Sequence, residues 1–268
     1  IFHYQNYDRK YYEQGKKDKY YSESFVAKAE RKAVLDNKLS YGFGGEYKYD
    51  WGHYETKTFS SQTRGNLANL GIFANIGYRL NKNQLLSFHG RNDDHKETGG
   101  NKTFKANFTQ ILGNLKLGAT HSTGLKNPSL YELYGNIGQK DIKAEKSETN
   151  EIFTEYNFSK NIRFNSTAYR TRMNDRIKIN SSWNAYENKI PDTTQEGLES
   201  EITFLGTDQS ISIISHFAKS RTATNGPNSR RPDLSYGVDY SKKINSQKYG
   251  PFDFIVSHRF IGDHIDWT

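Results

Sequence analysis

The chain has 268 residues, with 38 basic and 30 acidic side chains, a formal net charge of +8, no cysteine and one methionine. The lack of cysteine excludes a disulfide framework, a thiolate metal site and a cysteine nucleophile, and no run of about 18 apolar residues exists to form a transmembrane helix. Leu, Ile, Val and Phe supply about a fifth of the chain, the edge of disordered composition, yet 19 Tyr, 16 Phe and 3 Trp are too many aromatics for a solvating tail.

Taken in chain order, the apolar residues recur with period two. Leu39, Tyr41, Phe43, Tyr47 and Tyr49 share one parity, and Ser40, Gly42, Gly44, Glu46 and Lys48 the other. Leu70, Ile72, Ala74, Ile76, Tyr78 and Leu80 alternate with Asn69, Gly71, Phe73, Asn75, Gly77 and Arg79. The pattern continues through Phe104, Ala106 and Phe108, through Leu198, Ile202 and Phe204, and through Leu234, Tyr236, Val238 and Tyr240. It closes on Phe252, Phe254, Val256 and Phe260. Successive strand side chains point to opposite faces, so each segment reads as a strand with one apolar and one wet face. No stretch shows a helical stripe, and the expected fold is all-β and antiparallel.

About thirteen strands are predicted, at 1–8, 20–35, 38–51, 66–80, 84–92, 102–111, 114–123, 147–158, 162–173, 194–205, 209–220, 232–243 and 252–262. Most exceed the roughly 5–6 residues usual in soluble sheets and match the roughly 9–11 needed to cross a bilayer at a tilt. The links alternate long and short. Short ones lie near Asp36-Asn37, Asn81-Lys82-Asn83, Leu112-Gly113, Ser159-Lys160-Asn161, Gly206-Thr207-Asp208 and Ile244 to Pro251. Long ones span 9–19, 52–65, 93–101, 124–146, 174–193 and 221–231. Transmembrane β-barrels have this asymmetry, with short periplasmic turns and longer extracellular loops; a Greek-key sandwich has no reason to keep it. Tyr20, Tyr21, Tyr47, Tyr49, Trp51, Tyr78, Tyr240 and Trp267 fall near strand ends, where barrels carry aromatic girdles. A plug-less porin-type barrel and a soluble basic β protein binding polyanions are the competing readings.

After the seventh strand comes Thr123-Gly124-Leu125-Lys126-Asn127-Pro128-Ser129-Leu130-Tyr131-Glu132-Leu133-Tyr134-Gly135, followed by Lys143-Ala144-Glu145-Lys146-Ser147 at the next strand. Asn174-Asp175-Arg176-Ile177, Gly197-Leu198-Glu199-Ser200-Glu201, Arg230-Arg231-Pro232 and Phe260-Ile261-Gly262-Asp263-His264-Ile265-Asp266 follow in order. Together these resemble the conserved boxes of the TonB-dependent outer-membrane receptor family. In the second box Ala144 replaces the usual proline and the Asn-Pro is absent. The match covers about residues 115–268; the first hundred resemble only generic barrel strands. Within the family the order is most similar to the vitamin B12 (cobalamin) receptor branch, with ferric-siderophore receptors sharing much of it.

The resemblance implies a twenty-two-stranded barrel filled by an N-terminal plug that meets a TonB-type energy transducer. No plug-like segment is present, so residues 1–268 are expected to be an internal part of the barrel domain, with about nine strands and the plug outside it. It further implies a monomer in the outer membrane of a Gram-negative bacterium, in contact with lipid and lipopolysaccharide. Its work would be active uptake of cobalamin or an iron chelate, with no enzyme chemistry, no catalytic residue, no resident cofactor or metal and no nucleic acid. Large ligands with apolar faces and polar edges suit loops rich in aromatics and amides, which selects Trp183, Asn184, Tyr186, Tyr131 and Tyr134 as candidate contacts. Arg230 and Arg231 are candidates for pairing with plug carboxylates or with lipopolysaccharide phosphates. Asp93-Asp94-His95-Lys96-Glu97 lacks the glycine and spacing of a calcium loop and reads as a solvated charged loop.

Overall fold

A computed structural model describes residues 1–13, 15–57, 61–188, 192–222 and 232–263. The long strands are β1 (Phe2–Glu13), β2 (Lys16–Val34), β3 (Leu39–Thr56), β4 (Ser61–Asn81), β5 (Gln84–His95), β6 (Gly99–Leu112), β7 (Leu115–Lys126), β8 (Glu145–Asn157), β9 (Ile162–Asn174), β12 (Thr193–Leu205), β13 (Gln209–Thr222), β14 (Leu234–Ser246) and β15 (Gly250–Ile261). One helical turn, α1 (Leu130–Tyr134), follows β7, and a small hairpin, β10 (Lys178–Ile179) with β11 (Tyr186–Glu187), follows β9. The thirteen long strands form one antiparallel sheet in which spatial order follows chain order. This is the meander that the alternating links predict. β1 and β15 are its edges, and closure of a transmembrane barrel requires both to be paired.

Three of the predicted long links are mostly strand. β1 and β2 run to Glu13 and from Lys16, β3 and β4 to Thr56 and from Ser61, and β5 and β6 to His95 and from Gly99. These segments were expected as loops because both faces are polar there. Above the bilayer both faces meet water, so period two vanishes although the ladder continues. At 21 residues β4 is twice what a bilayer crossing needs. The segment 221–231 is strand to Thr222; the rest, with Arg230 and Arg231, lies outside the described residues.

Register turns the one-strand patterns into a surface. Leu39 pairs Tyr78, Tyr78 pairs Leu86, and the row continues through Phe108, Ala119, Ile152, Ala168, Leu198 and Phe217 to Leu234. Every member is apolar or aromatic. Leu70, Ile72, Phe88, Ile152, Ile213 and Phe254 are all exposed. This is the lipid-facing band of a transmembrane barrel. The neighbouring row starts apolar at Tyr41, Ile76, Phe88 and Ala106, then becomes His121, Asn150, Arg170, Glu196 and Lys219. A hydrogen-bonded row therefore climbs out of the band as it crosses the sheet, as strand tilt in a barrel requires.

The inward face is charged. Arg91 makes three bonds to Asp93 (2.7, 2.8 and 3.0 Å) and one to Glu46 (2.9 Å). Lys48 pairs with Asp50 at 2.8 Å, and Glu30 lies between Lys28 and Lys32. Phe73, an aromatic among polar neighbours in the sequence, lies opposite Gly44, where a Cβ would come within 2.7 Å of its ring. Phe153 lies over Gly118 and Tyr169 over Gly197 in the same manner. Glycine makes room for a ring laid flat across the next strand, so within Gly42-Phe43-Gly44-Gly45 it is Gly42 and Gly44 that relieve crowding on the inner wall.

The girdle is partly as expected. Tyr21 and Trp51 lie on the lipid-facing parity with rings 5.4 Å apart, and Tyr78 and Tyr240 flank the band at the turn-bearing end. Tyr20 has the opposite parity: it packs on Tyr54 at 5.6 Å on the inward face. Trp267 lies outside the described residues.

Candidate functional site

Buried apolar side chains are scarce in the sheet and gather where loops fold together. Leu133 (2% exposed), Ile142, Ala144 and Ile177 all belong to the links after β7 and β9. These two links are built like a small soluble protein standing on the barrel mouth. Pro128 is tolerated just before the helical turn, and Ser129 caps it. The Ser129 hydroxyl accepts the Glu132 N–H (3.3 Å), and the Glu132 carboxylate accepts the Ser129 N–H (2.7 Å). This capping box is visible in the sequence as Ser-x-x-Glu, and it is the signal by which α1 could have been foreseen.

α1 lies against the inner surface of β3 and β4. Leu130 covers Gly52, and the Tyr134 ring lies on Gly65, where a Cβ would sit 2.5 Å from it. The Tyr134 hydroxyl donates to the Glu97 carboxylate, and Lys140 sits 5.5 Å from the Tyr134 ring centre. Thr98 donates to Asn127 at 3.0 Å, and its hydroxyl lies 3.1 Å from His95 Nδ1. The 93–97 cluster is thus committed to protein partners: Asp93 to Arg91 and Asn69, His95 to Thr98, Glu97 to Tyr134.

The second link docks on the first. Asn188 accepts the Lys143 N–H (2.7 Å) and donates to the carbonyls of Lys143 (3.1 Å) and Asp175 (2.6 Å). The Tyr186 N–H donates to the Ile137 carbonyl at 3.0 Å. Glu145 holds Lys126 at 2.9 Å and accepts the Ile177 N–H at 3.0 Å. Both residues fix the loops; Glu145 lies in the second box read from the sequence, whereas no local pattern marks Asn188.

Beneath α1 is a pocket of about 480 Å³, its walls including Ser24, Asp50, Tyr54, Asn69, His95 and Tyr131. Ser24 donates to Asp50 at 2.7 Å. Asn69 Oδ1 is buried and takes no hydrogen bond from the described residues, so it offers an acceptor at the wall. A polar floor under an aromatic rim suits a solute with apolar faces and polar edges.

Of the five predicted ligand contacts, the structure brings Tyr131 and Tyr186 together, their rings edge to face at 6.2 Å. Burial, then the neighbouring Tyr131 and Glu132, pushes the Tyr186 hydroxyl up from its ordinary value. Trp183 is 67% exposed at the tip of the β10–β11 hairpin, with φ 58°. Asn184 serves its own turn, accepting from Asn180 Nδ2 at 2.7 Å while its N–H donates to Asn180 Oδ1 at 3.1 Å. Tyr134 is the anchor of α1.

Burial, followed by the bond to Glu97, pushes the Tyr134 hydroxyl up to about 12. The same bond, the largest cause, holds the Glu97 carboxyl below its ordinary 4.5. A depressed carboxyl stabilises docking above its unfolded value and loses that contribution as pH falls through the folded one. A raised phenol favours docking below 10 and loses it as pH rises from 10 towards about 12. Docking of 127–144 should therefore hold between these limits and loosen outside them, as hydrogen exchange of Leu130–Tyr134 would read. In Tyr134→Phe the protection should fall by about 1 kcal/mol, and the acid-side loosening through Glu97 should shrink.

Three comparisons bear on what this arrangement belongs to. Residues 2–265 match the family model described as TonB dependent receptor-like, beta-barrel. The Vitamin B12 transporter BtuB of Vibrio cholerae serotype O1 is 23% identical over 185 residues, 68% of this chain and 29% of that protein. The ferric yersiniabactin uptake receptor FyuA from Yersinia pestis superposes with a TM-score of 0.73 at 13% identity, over 98% of this chain and 46% of that one. The siderophore receptor PirA from Acinetobacter baumannii gives 0.70 at 15%, over 92% and 44%. The chain thus spans under a third of the curated relative and under half of these structures. With the family model matched over nearly its whole length, the chain belongs to the TonB-dependent receptor β-barrel family.

Proposed function

We propose that this chain forms part of the wall and mouth of an outer-membrane receptor for the energy-coupled uptake of a large, scarce solute of the cobalamin or ferric-siderophore class. On this reading the loop-bearing end faces outward from a Gram-negative cell. The solute binds under and against the 127–144 and 175–188 links, and a plug driven by a TonB-type transducer releases it into the lumen. The observation that carries the reading is the docked loop layer itself. Two links hold each other by side-chain clamps and set Tyr131, its ring edge to face with Tyr186, in the wall of a polar pocket of about 480 Å³. A passive pore gains nothing from so ordered a roof, whereas a high-affinity site needs preorganised contacts.

The test is equilibrium binding to the detergent-purified protein expressed in full from its gene, with cobalamin and a panel of ferric chelates compared by isothermal titration calorimetry. One class should bind tightly. The double variant Tyr131→Ala, Tyr186→Ala should weaken it by about tenfold or more, the loss expected for two aromatic contacts. Unchanged affinity in a correctly folded variant would remove the tyrosines from the site.

A further inference from the structure

Asn69 and His95 are register partners on the inner face of β4 and β5, side by side in the wall of the pocket beneath α1. Each is held in one hydrogen-bonding state by the residues behind it. Arg91 fixes the Asp93 carboxylate with its three bonds, and that carboxylate takes Asn69 Nδ2 at 2.7 Å. An ionised carboxylate only accepts, so the Asn69 amide cannot flip. Its Oδ1 is left as a buried acceptor with no hydrogen bond from the described residues, an uncommon condition in a folded protein.

His95 is fixed from the other side. The residue is 4% exposed, and its Nδ1 accepts the N–H groups of Glu97 and Thr98, both at 3.3 Å. The Thr98 hydroxyl, 3.1 Å from Nδ1, rotates to suit either tautomer, whereas the two amide protons allow only one. Burial holds the imidazole below its ordinary value, outweighing the pull of the Glu97, Asp50, Asp93 and Asp94 carboxylates. The ring is therefore neutral at about pH 7. With Nδ1 occupied as an acceptor, its one proton sits on Nε2. Adjacent strands thus set an acceptor and a donor beside each other, both of fixed polarity.

We propose that this pair is a subsite for a primary carboxamide of the solute. Such a group presents one N–H and its C=O on the same edge. It gives the first to Asn69 Oδ1 and takes the His95 Nε2–H with the second. Asn and Gln side chains read one edge of adenine by the same two-point pairing. A trans secondary amide holds N–H and C=O on opposite edges and meets half of the pair. A carboxylate has no donor and sets oxygen against oxygen at Asn69. Leu67, Pro128 and Leu130 in the same wall suit the short methylene arm that carries a side-chain carboxamide. The inference rests on the receptor reading and narrows the solute to one bearing primary carboxamides, as cobalamin does, over chelates built on carboxylates, catecholates or hydroxamates.

The experiment is calorimetric binding to the detergent-purified protein expressed in full from its gene. The probes are cobalamin, its monocarboxylic acids, each with one side-chain carboxamide hydrolysed, and ferric chelates without a primary carboxamide. One of the acids should bind about tenfold or more weaker than cobalamin, the discrimination of one two-point pair, and the others should bind as cobalamin does. In Asn69→Leu and His95→Phe that ratio should fall to about twofold or less. The ratio compares amide and acid on the same protein, so a merely loosened fold does not move it; if a variant fails to fold, the wild-type series decides. Equal binding of cobalamin and all its monoacids, or an unchanged ratio in the folded variants, would overturn the subsite. Tight binding of a ferric chelate in place of cobalamin would overturn the subsite and leave the receptor reading standing. Binding of none of these solutes would overturn that reading and the inference with it.

Discussion

Ile152→Arg should destabilise the protein in a bilayer by about 2–4 kcal/mol, the cost of a cation at mid-depth on a barrel's lipid face. Ile152 sits in the centre of the apolar row between Ala119 and Ala168 and is 68% exposed. The size and sign of this effect separate two worlds. In a soluble β protein a residue so exposed would accept arginine within about 0.5 kcal/mol. In a barrel the same position faces hydrocarbon, and the guanidinium must reach for the headgroups through a thinned membrane. Denaturant titration in lipid vesicles reads the difference. Glu151→Gln, one residue away on the inward parity, serves as the control and should change stability little.

Arg91→Met should cost about 2 kcal/mol, the second large effect. Arg91 faces inward and neutralises two carboxylates at once, Asp93 and Glu46, while its guanidinium lies 5.8 Å from the Phe73 ring centre. Removing it leaves the largely buried Asp93 and the nearby Glu46 as like charges on one wall. Breaking a fully buried pair costs about 3–5 kcal/mol; here all three groups keep some access to water, so screening reduces the figure. Pairing the change with Asp93→Asn should recover part of it, with a coupling of about 1 kcal/mol in the double-mutant cycle.

How much of this could be read from the sequence depends on which solvent each face meets. Within the membrane-depth segments the two faces differ sharply, so parity alone placed Leu70, Ile72, Ile76 and Tyr78 on one surface and Asn69, Gly71 and Asn75 on the other. The tight turns were legible for a related reason: Asp36 and Asn81 side chains bind the backbone two residues on, which is what those residue types do. Above the bilayer the contrast disappears. Lys16–Lys19 and Gly52–Thr56 carry no apolar alternation, so their ladders read as loops, and Tyr20, first residue of its predicted strand, could not be assigned to the inner face. Among the site residues, local chemistry pointed to Tyr131, Tyr186 and Trp183 as exposed aromatics. It could not show that Tyr131 and Tyr186 meet, because Asn188, Lys143 and Glu145 arrange that across links remote in sequence. Tyr134 differs from Tyr131 in lying against Gly65 and bonding Glu97, both on strands or turns remote from its own loop, and no reading of one loop can contain that fact.

The function proposed for the receptor, import of a solute by coupling to the inner-membrane proton gradient, has a direct test. The most direct measurement is accumulation of labelled cobalamin and labelled ferric siderophores by cells with and without the gene, in the presence and absence of an uncoupler. Gene-dependent accumulation of one of these solutes at nanomolar external concentration is expected, abolished when the gradient is collapsed while surface binding persists. Gene-dependent entry that continues with the gradient collapsed would contradict it, and would make the protein a passive pore.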